Sequence, residues 1–203
     1  MAIVALISYG AYLALAFGLR TWLQLRRTGS SGFVGVSGRP GSAEWLGGVL
    51  FGVALVLGLA APVLALMGVV EPLEALDTGF VHAAAGALFA LGLAGTLAAQ
   101  AAMGASWRIG VDERARTDLV ADGPFTVVRN PIFAAMLPAS AGLALMVPSP
   151  VALAGLAVLA IALELQVRVV EEPYLLRTHG AEYSAYAARV GRFVPGVGRL
   201  RGH

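Results

Sequence analysis

Two short stretches hold most of the residues able to do chemistry. The first, Ser106 to Pro131, carries charges of both signs, then the turn Asp122-Gly123-Pro124, then Arg129-Asn130-Pro131. The second, Glu164 to His203, holds Glu164 and Arg168 four apart, the adjacent pair Glu171-Glu172, Tyr183, Tyr186 and Arg192. Arginine binds a carboxylate or phosphate through its two-pronged fork, and carboxylates bind an ammonium. Together these groups suit a polar zwitterionic ligand. The missing residue types narrow the chemistry further. There is no cysteine, which excludes disulfide frameworks, Cys-ligated zinc, iron–sulfur clusters and thiol catalysis. All 14 basic residues are arginine, so P-loop and Schiff-base lysine chemistry are excluded too. No metal is expected.

Those residues must be held by elements of an unusual composition. Of 203 residues, 58% are hydrophobic and only 13% charged, about half the charge of an ordinary soluble domain. With a mean hydropathy of +0.79, neither a water-soluble globule nor a disordered chain fits. The pI near 9.4 accompanies a net charge of only +2 and no basic stripe, so nucleic acid is not an expected partner. Membrane lipids are.

Charged residues divide the chain into uncharged runs of membrane-spanning length. Met1 to Leu19 ends at Arg20; Trp45 to Val70 follows, containing Pro62; Thr78 to Trp107 is third, with His82 inside it. Asn130 to Leu163 is too long for one upright span and short for two. Pro148-Ser149-Pro150 breaks it, predicting a tight hairpin of helices over 131–147 and 151–169. The expected fold is therefore all-α and polytopic, with about five transmembrane helices and a C-terminal helical cap. It reads as one integral-membrane domain over 1–203: three N-terminal helices in 1–104, then loop, hairpin and cap in 105–203. The Gly/Ser-rich stretch Thr28 to Ser42 reads as a flexible connector. A cleaved signal peptide is the rival reading of the first run, but that run lacks a positive n-region and arginines follow it at once.

The arginines agree with the count. They fall between the first and second helices, between the third and fourth, and in the tail; the other two connections have none. The positive-inside rule then puts the arginine-bearing end in the cytoplasm of a bacterial inner or plasma membrane, with the N-terminus outside and the C-terminus inside. Within the cap, Pro131 is placed as a first helical residue and Asn130 as its N-cap. Glu164 and Arg168 are spaced to pair at the membrane boundary. Gly180 is a helix stop, and Tyr183, Tyr186 and Val190 share one face that packs on the body of the protein.

Gly123-Pro124-Phe125 followed by Val128-Arg129-Asn130-Pro131-Ile132-Phe133 resembles a signature of the integral-membrane isoprenylcysteine carboxyl methyltransferase family and its phospholipid methyltransferase relatives. The resemblance continues in order through Glu171-Glu172, Gly180-x-x-Tyr183-x-x-Tyr186 and Arg192-Phe193-x-Pro195, covering roughly residues 100–197. It implies a methyltransferase that uses S-adenosyl-L-methionine, releases S-adenosyl-L-homocysteine, and has no Rossmann domain. By that resemblance Leu119, Val120, Gly123, Pro124 and Phe125 line the adenosine pocket. Arg129, Asn130, Pro131 and Phe133 surround the methionyl part, while Glu171, Glu172 and Tyr183 close the site. Arg129 and Glu172 are the candidate catalytic residues, Glu172 as the base for an acceptor that must lose a proton. Asn130 and Phe133 depart from the family's histidine and tyrosine. Asn keeps a donor and an acceptor, whereas Phe133 lacks a hydroxyl outright.

The expected acceptor is lipophilic, with an isoprenylcysteine carboxylate-like or lipid-like head meeting the cofactor at the cytoplasmic interface. Gly86, Gly92, Gly95, Gly142 and Gly155 allow either close helix packing or a groove for its chain. Two alternatives stand beside this one: a nicotinamide-dependent membrane reductase of related fold, and a non-catalytic membrane scaffold.

Overall fold

The computed structural model describes residues 1–32, 35–36, 38–107 and 118–200. Arg108, Arg114, Arg116 and Arg201 lie outside the described residues. Five apolar helices form the body of the molecule: α1 (Ala2–Thr28), α2 (Ala43–Leu66), α3 (Gly79–Met103), α4 (Pro131–Met146) and α5 (Pro150–Leu165). Four of the helical stretches are long and apolar enough to cross a membrane; α4 is the shorter one. The chain is an all-helical, polytopic integral membrane protein, as its hydropathy pattern implies.

The helix starts are built from local chemistry. The Ser42, Thr78 and Ser149 hydroxyls accept from the backbone N–H of Trp45, Val81 and Ala152 respectively, relieving orphan donors at three N-termini. Pro131 and Pro150 open α4 and α5, where a missing N–H costs nothing. Asn130 holds the N-cap position of α4, but its side chain makes no capping bond. Its amide reaches toward the Arg192 carbonyl instead, at 3.4 Å.

Two helices run further than their charges suggest. α1 continues through Arg20 to Thr28 and closes on Gly29 at φ +74°, so Arg20, Arg26 and Arg27 lie on the helix rather than in a loop. Arg20 is buried. Its guanidinium donates to the Gly104 carbonyl at 2.5 Å and lies 4.9 Å from the Trp107 ring centroid, so protein atoms replace the water it would need. α5 likewise does not stop at the membrane boundary. It winds through a π-helical stretch, Gln166–Glu171, into α6 (Glu172–Arg189). Pro173 offers no N–H to the preceding turn, and a wider local winding is one way a helix passes such a gap. The break at Gly180 is real, with φ +53° and ψ −121° inside α6.

The helices pack through their glycines. A Cβ on Gly92 would sit 2.4 Å from the Ala139 nitrogen, and one on Gly142 would sit 2.6 Å from the Ala85 carbonyl oxygen. α3 and α4 therefore meet backbone to backbone. A Cβ on Gly95 or Gly155 would lie 3.0 Å from the Ala135 Cβ or 3.1 Å from the Leu57 Cβ, tighter than ordinary packing, and one on Gly86 would meet nothing. Of the two readings of these glycines, packing is the one realised. Three tyrosine and threonine groups tie α1 to its neighbours: Tyr9 donates to the Leu55 carbonyl at 2.7 Å, and Tyr12 meets Thr96 at 3.2 Å. At one end, Leu73 N–H bonds the Pro148 carbonyl, joining the two arginine-free connections. At the other end the described parts of the first and third connections meet the cap.

Candidate functional site

At that end the two distant motifs become one structure. Val128 and Gly191 form an isolated parallel bridge. Arg129 N–H donates to the Gly191 carbonyl at 2.8 Å, and Asn130 N–H donates to the Arg192 carbonyl at 3.1 Å. Gly191 must be glycine for the turn beyond it, because a Cβ there would lie 2.1 Å from the Val194 carbonyl oxygen. The Tyr186 hydroxyl donates to the Phe125 carbonyl at 2.6 Å, pinning the short 3-10 turn Gly123–Thr126 against α6. Tyr183 and Tyr186 are buried in a cluster with Leu119, Leu175 and Val190, as their shared face predicts.

Side chains lock the same junction. The Glu172 carboxylate takes Arg129 at 2.5 Å on one oxygen and Arg192 on both, each at 2.8 Å. All three residues are buried. Arg129 also donates to the carbonyls of Ala187, Val190 and Gly198. Burial works to raise the Glu172 carboxyl, but hydrogen bonds from Arg192 and Arg129 outweigh it and hold it below the ordinary carboxylate range. This triad is a clasp with its hydrogen-bonding capacity largely committed. The exposed pair Glu164–Arg168 forms as its spacing predicts.

Beside the clasp lies a cavity of about 440 Å³, within the usual range for small-molecule sites. Leu119, Val120 and Phe125 wall it from the loop before α4. Arg129, Asn130, Pro131 and Phe133 contribute from the start of α4, and Glu171 and Tyr183 from the tail. Gly123, Pro124 and Glu172, expected at the site, do not line it. Residues that carried no signal in the sequence complete it: Phe17, Glu44, Phe51, Gln100, Trp107 and Gln166. They come from the first three helices, from the segment just after α3 (Trp107) and from the start of the π-helical stretch. The lining glycines are Gly35 and, on α2, Gly47, Gly48 and Gly52, whose sequence spacing gives no hint of a cavity.

Adjacent carboxylates behave differently here. Glu171, past the end of α5, faces the cavity, and burial pushes its carboxyl up to about 7 despite a hydrogen bond with Gln166, with the Glu172 charge adding to the rise. Asp118 and Glu44 add two more acidic side chains to the wall. Arg129 is the one arginine among the described lining residues, and its charge is already answered by Glu172. The cavity is thus apolar, with acidic side chains and an aromatic wall of Trp107, Phe125 and Tyr183. That set fits a compact cationic ligand with an aromatic part. It fits a polyanion poorly.

A family model described as phospholipid methyltransferase matches residues 80–182, from the start of α3 into α6. No curated protein matches the chain.

Proposed function

The chain belongs to the phospholipid methyltransferase family, and from that premise we propose that it moves a methyl group from S-adenosyl-L-methionine to a lipophilic acceptor at the arginine-bearing face of the membrane. The observation that carries this reading is the cavity's charge. Its described acidic side chains face no guanidinium of their own, while its described guanidinium is already paired with Glu172. S-adenosyl-L-methionine bound there supplies an electrophilic methyl on a sulfonium cation. Glu171, Asp118 and Glu44 favour a cation, while Trp107, Phe125 and Tyr183 offer faces for a flat ring. The clasp of Arg129, Glu172 and Arg192 fixes the loop and the tail against each other, so that both walls are set before a ligand arrives. Holding two reactants in line and excluding water is worth up to roughly 7–11 kcal/mol.

An acceptor that must lose a proton needs a base. Glu172 is the residue the sequence motif suggests, but its carboxylate is spent on two guanidiniums. Glu171, facing the cavity and titrating near neutrality, is the base we assign. Its environment keeps a proton acceptor near the operating pH, where general-base catalysis is most effective.

The apolar end of the cavity, walled by Phe17, Phe51, Leu55, Met136 and Leu163, suits an alkyl or isoprenoid chain. By the positive-inside rule this face is cytoplasmic. The test uses acceptors that share one head group and differ in tail length, with transfer of a radiolabelled methyl as the readout. Turnover should rise with tail length. Equal turnover with and without a tail would reject a lipophilic acceptor.

A further inference from the structure

Gln100 is a polar side chain that neither the motifs nor the clasp accounts for. It lies on α3, is only 3% exposed, and lines the cavity. Its Nε2 donates to the Ala16 carbonyl of α1 at 2.9 Å. A carbonyl can only accept, so this bond fixes which end of the amide is which. The nitrogen is turned to α1, and Oε1 is left without a partner among the described residues. Ala16 stands in the middle of a π-helical stretch, Leu13–Leu19, a winding found frequently at functional sites. A buried acceptor with no donor carries the full cost of its lost hydration. An apolar side chain of similar length would remove that cost from an apolar wall.

We propose that Gln100 is a ligand-reading residue: its Oε1 accepts a hydrogen bond from an N–H or O–H of the molecule bound in the cavity. This rests on the cavity being the ligand site described above. An oxygen at this position welcomes a donor and repels an anion. Gln100 lies one helical turn before Gly104, which receives Arg20, so it stands at the arginine-bearing end of α3, where a cofactor or an acceptor's head would sit. The donor belongs either to the S-adenosyl group or to the head of the lipophilic acceptor.

The experiment compares wild-type protein, Gln100→Met and Thr96→Val in detergent. Thr96 meets Tyr12 across the same pair of helices but does not line the cavity, so its variant loosens α1 against α3 without touching the site. Three probes are titrated by calorimetry: S-adenosylhomocysteine, lysophosphatidylethanolamine, and lysophosphatidylcholine of the same chain, whose head has no N–H. Gln100→Met should lose about tenfold in affinity for S-adenosylhomocysteine, or about tenfold for lysophosphatidylethanolamine, with no loss for the choline lipid if the donor is the ammonium and an equal loss if it is the glycerol hydroxyl both lipids carry. The first outcome places the donor on the cofactor and the second on the acceptor. Thr96→Val should lower the melting temperature and keep wild-type affinities. The inference is overturned if Gln100→Met binds every probe within twofold of wild type, or if Thr96→Val loses affinity equally. Wild-type protein that binds no S-adenosylhomocysteine would sink the cofactor reading and leave the lipid arm to judge Gln100. Binding of no probe at all would overturn both.

Discussion

Glu171 and Glu172 are neighbours in the chain and belong to two different regions of the molecule. Glu172 is the centre of a buried clasp in which both of its oxygens meet guanidiniums. Glu171 faces a cavity, with Gln166 and the repulsion of its neighbour as its surroundings. A carboxylate saturated with partners is a fastener, and one short of partners is available to a ligand. The same contrast separates the Glu172 carboxylate from the Gln100 amide, whose oxygen is unmatched. Where the polar groups are satisfied, the protein is holding itself together. Where they are not, it is set to bind something.

The largest effect should come from the clasp. Glu172→Gln leaves two guanidiniums buried without an anion, and breaking a buried ion pair from one side costs about 3–5 kcal/mol. Thermal unfolding in detergent should show a large fall in melting temperature, with loss of S-adenosylhomocysteine binding as a consequence. A variant of unchanged stability would mean that the clasp is not what joins loop and tail.

Glu171→Gln should do the reverse, sparing stability and costing function. Its carboxyl is raised from 4.5 to about 7, so the folded protein binds that proton more tightly than the unfolded chain does. The stabilisation is complete below about pH 4.5 and is lost as pH rises through about 7. Glutamine should remove that slope from the stability profile. Affinity for a cationic ligand should rise between pH 6 and 8 in the wild type and stay flat in the variant. If both profiles have the same shape, Glu171 does not titrate in this window.

The smallest effect is expected on the surface. Arg168→Ala breaks the exposed pair with Glu164, and such pairs are typically worth about 0–1 kcal/mol. A loss as large as that of Glu172→Gln would erase the distinction between clasp and surface.

Much of this architecture was legible in the chain, because membrane insertion imposes strong one-dimensional signals. The hairpin followed from Pro148-Ser149-Pro150, and its helices start and stop within a few residues of the expected bounds, apart from the continuation of α5 toward the cap. The tyrosine face and the Glu164–Arg168 pair followed from helical spacing. What could not be read was pairing across the fold. Arg20 looks like the end of a span until Gly104 and Trp107 are seen to receive it. Gln100 is one amide in a run of alanines until the Ala16 carbonyl fixes it. Arg129 reads in the sequence as a ligand arm; it lines the cavity and is also the hub of the junction. Only the three-dimensional register of α1, α3 and the tail decides those roles.

The central claim is that the cavity selects a compact S-adenosyl cofactor over a polyanionic one, and binding decides it most directly. Folded wild-type protein in detergent would be titrated with S-adenosylhomocysteine and, separately, with NADPH, with the shift in melting temperature as a second readout. S-adenosylhomocysteine should bind and raise the melting temperature, and NADPH should do neither. NADPH binding, or no response to S-adenosylhomocysteine from folded protein, would contradict the account.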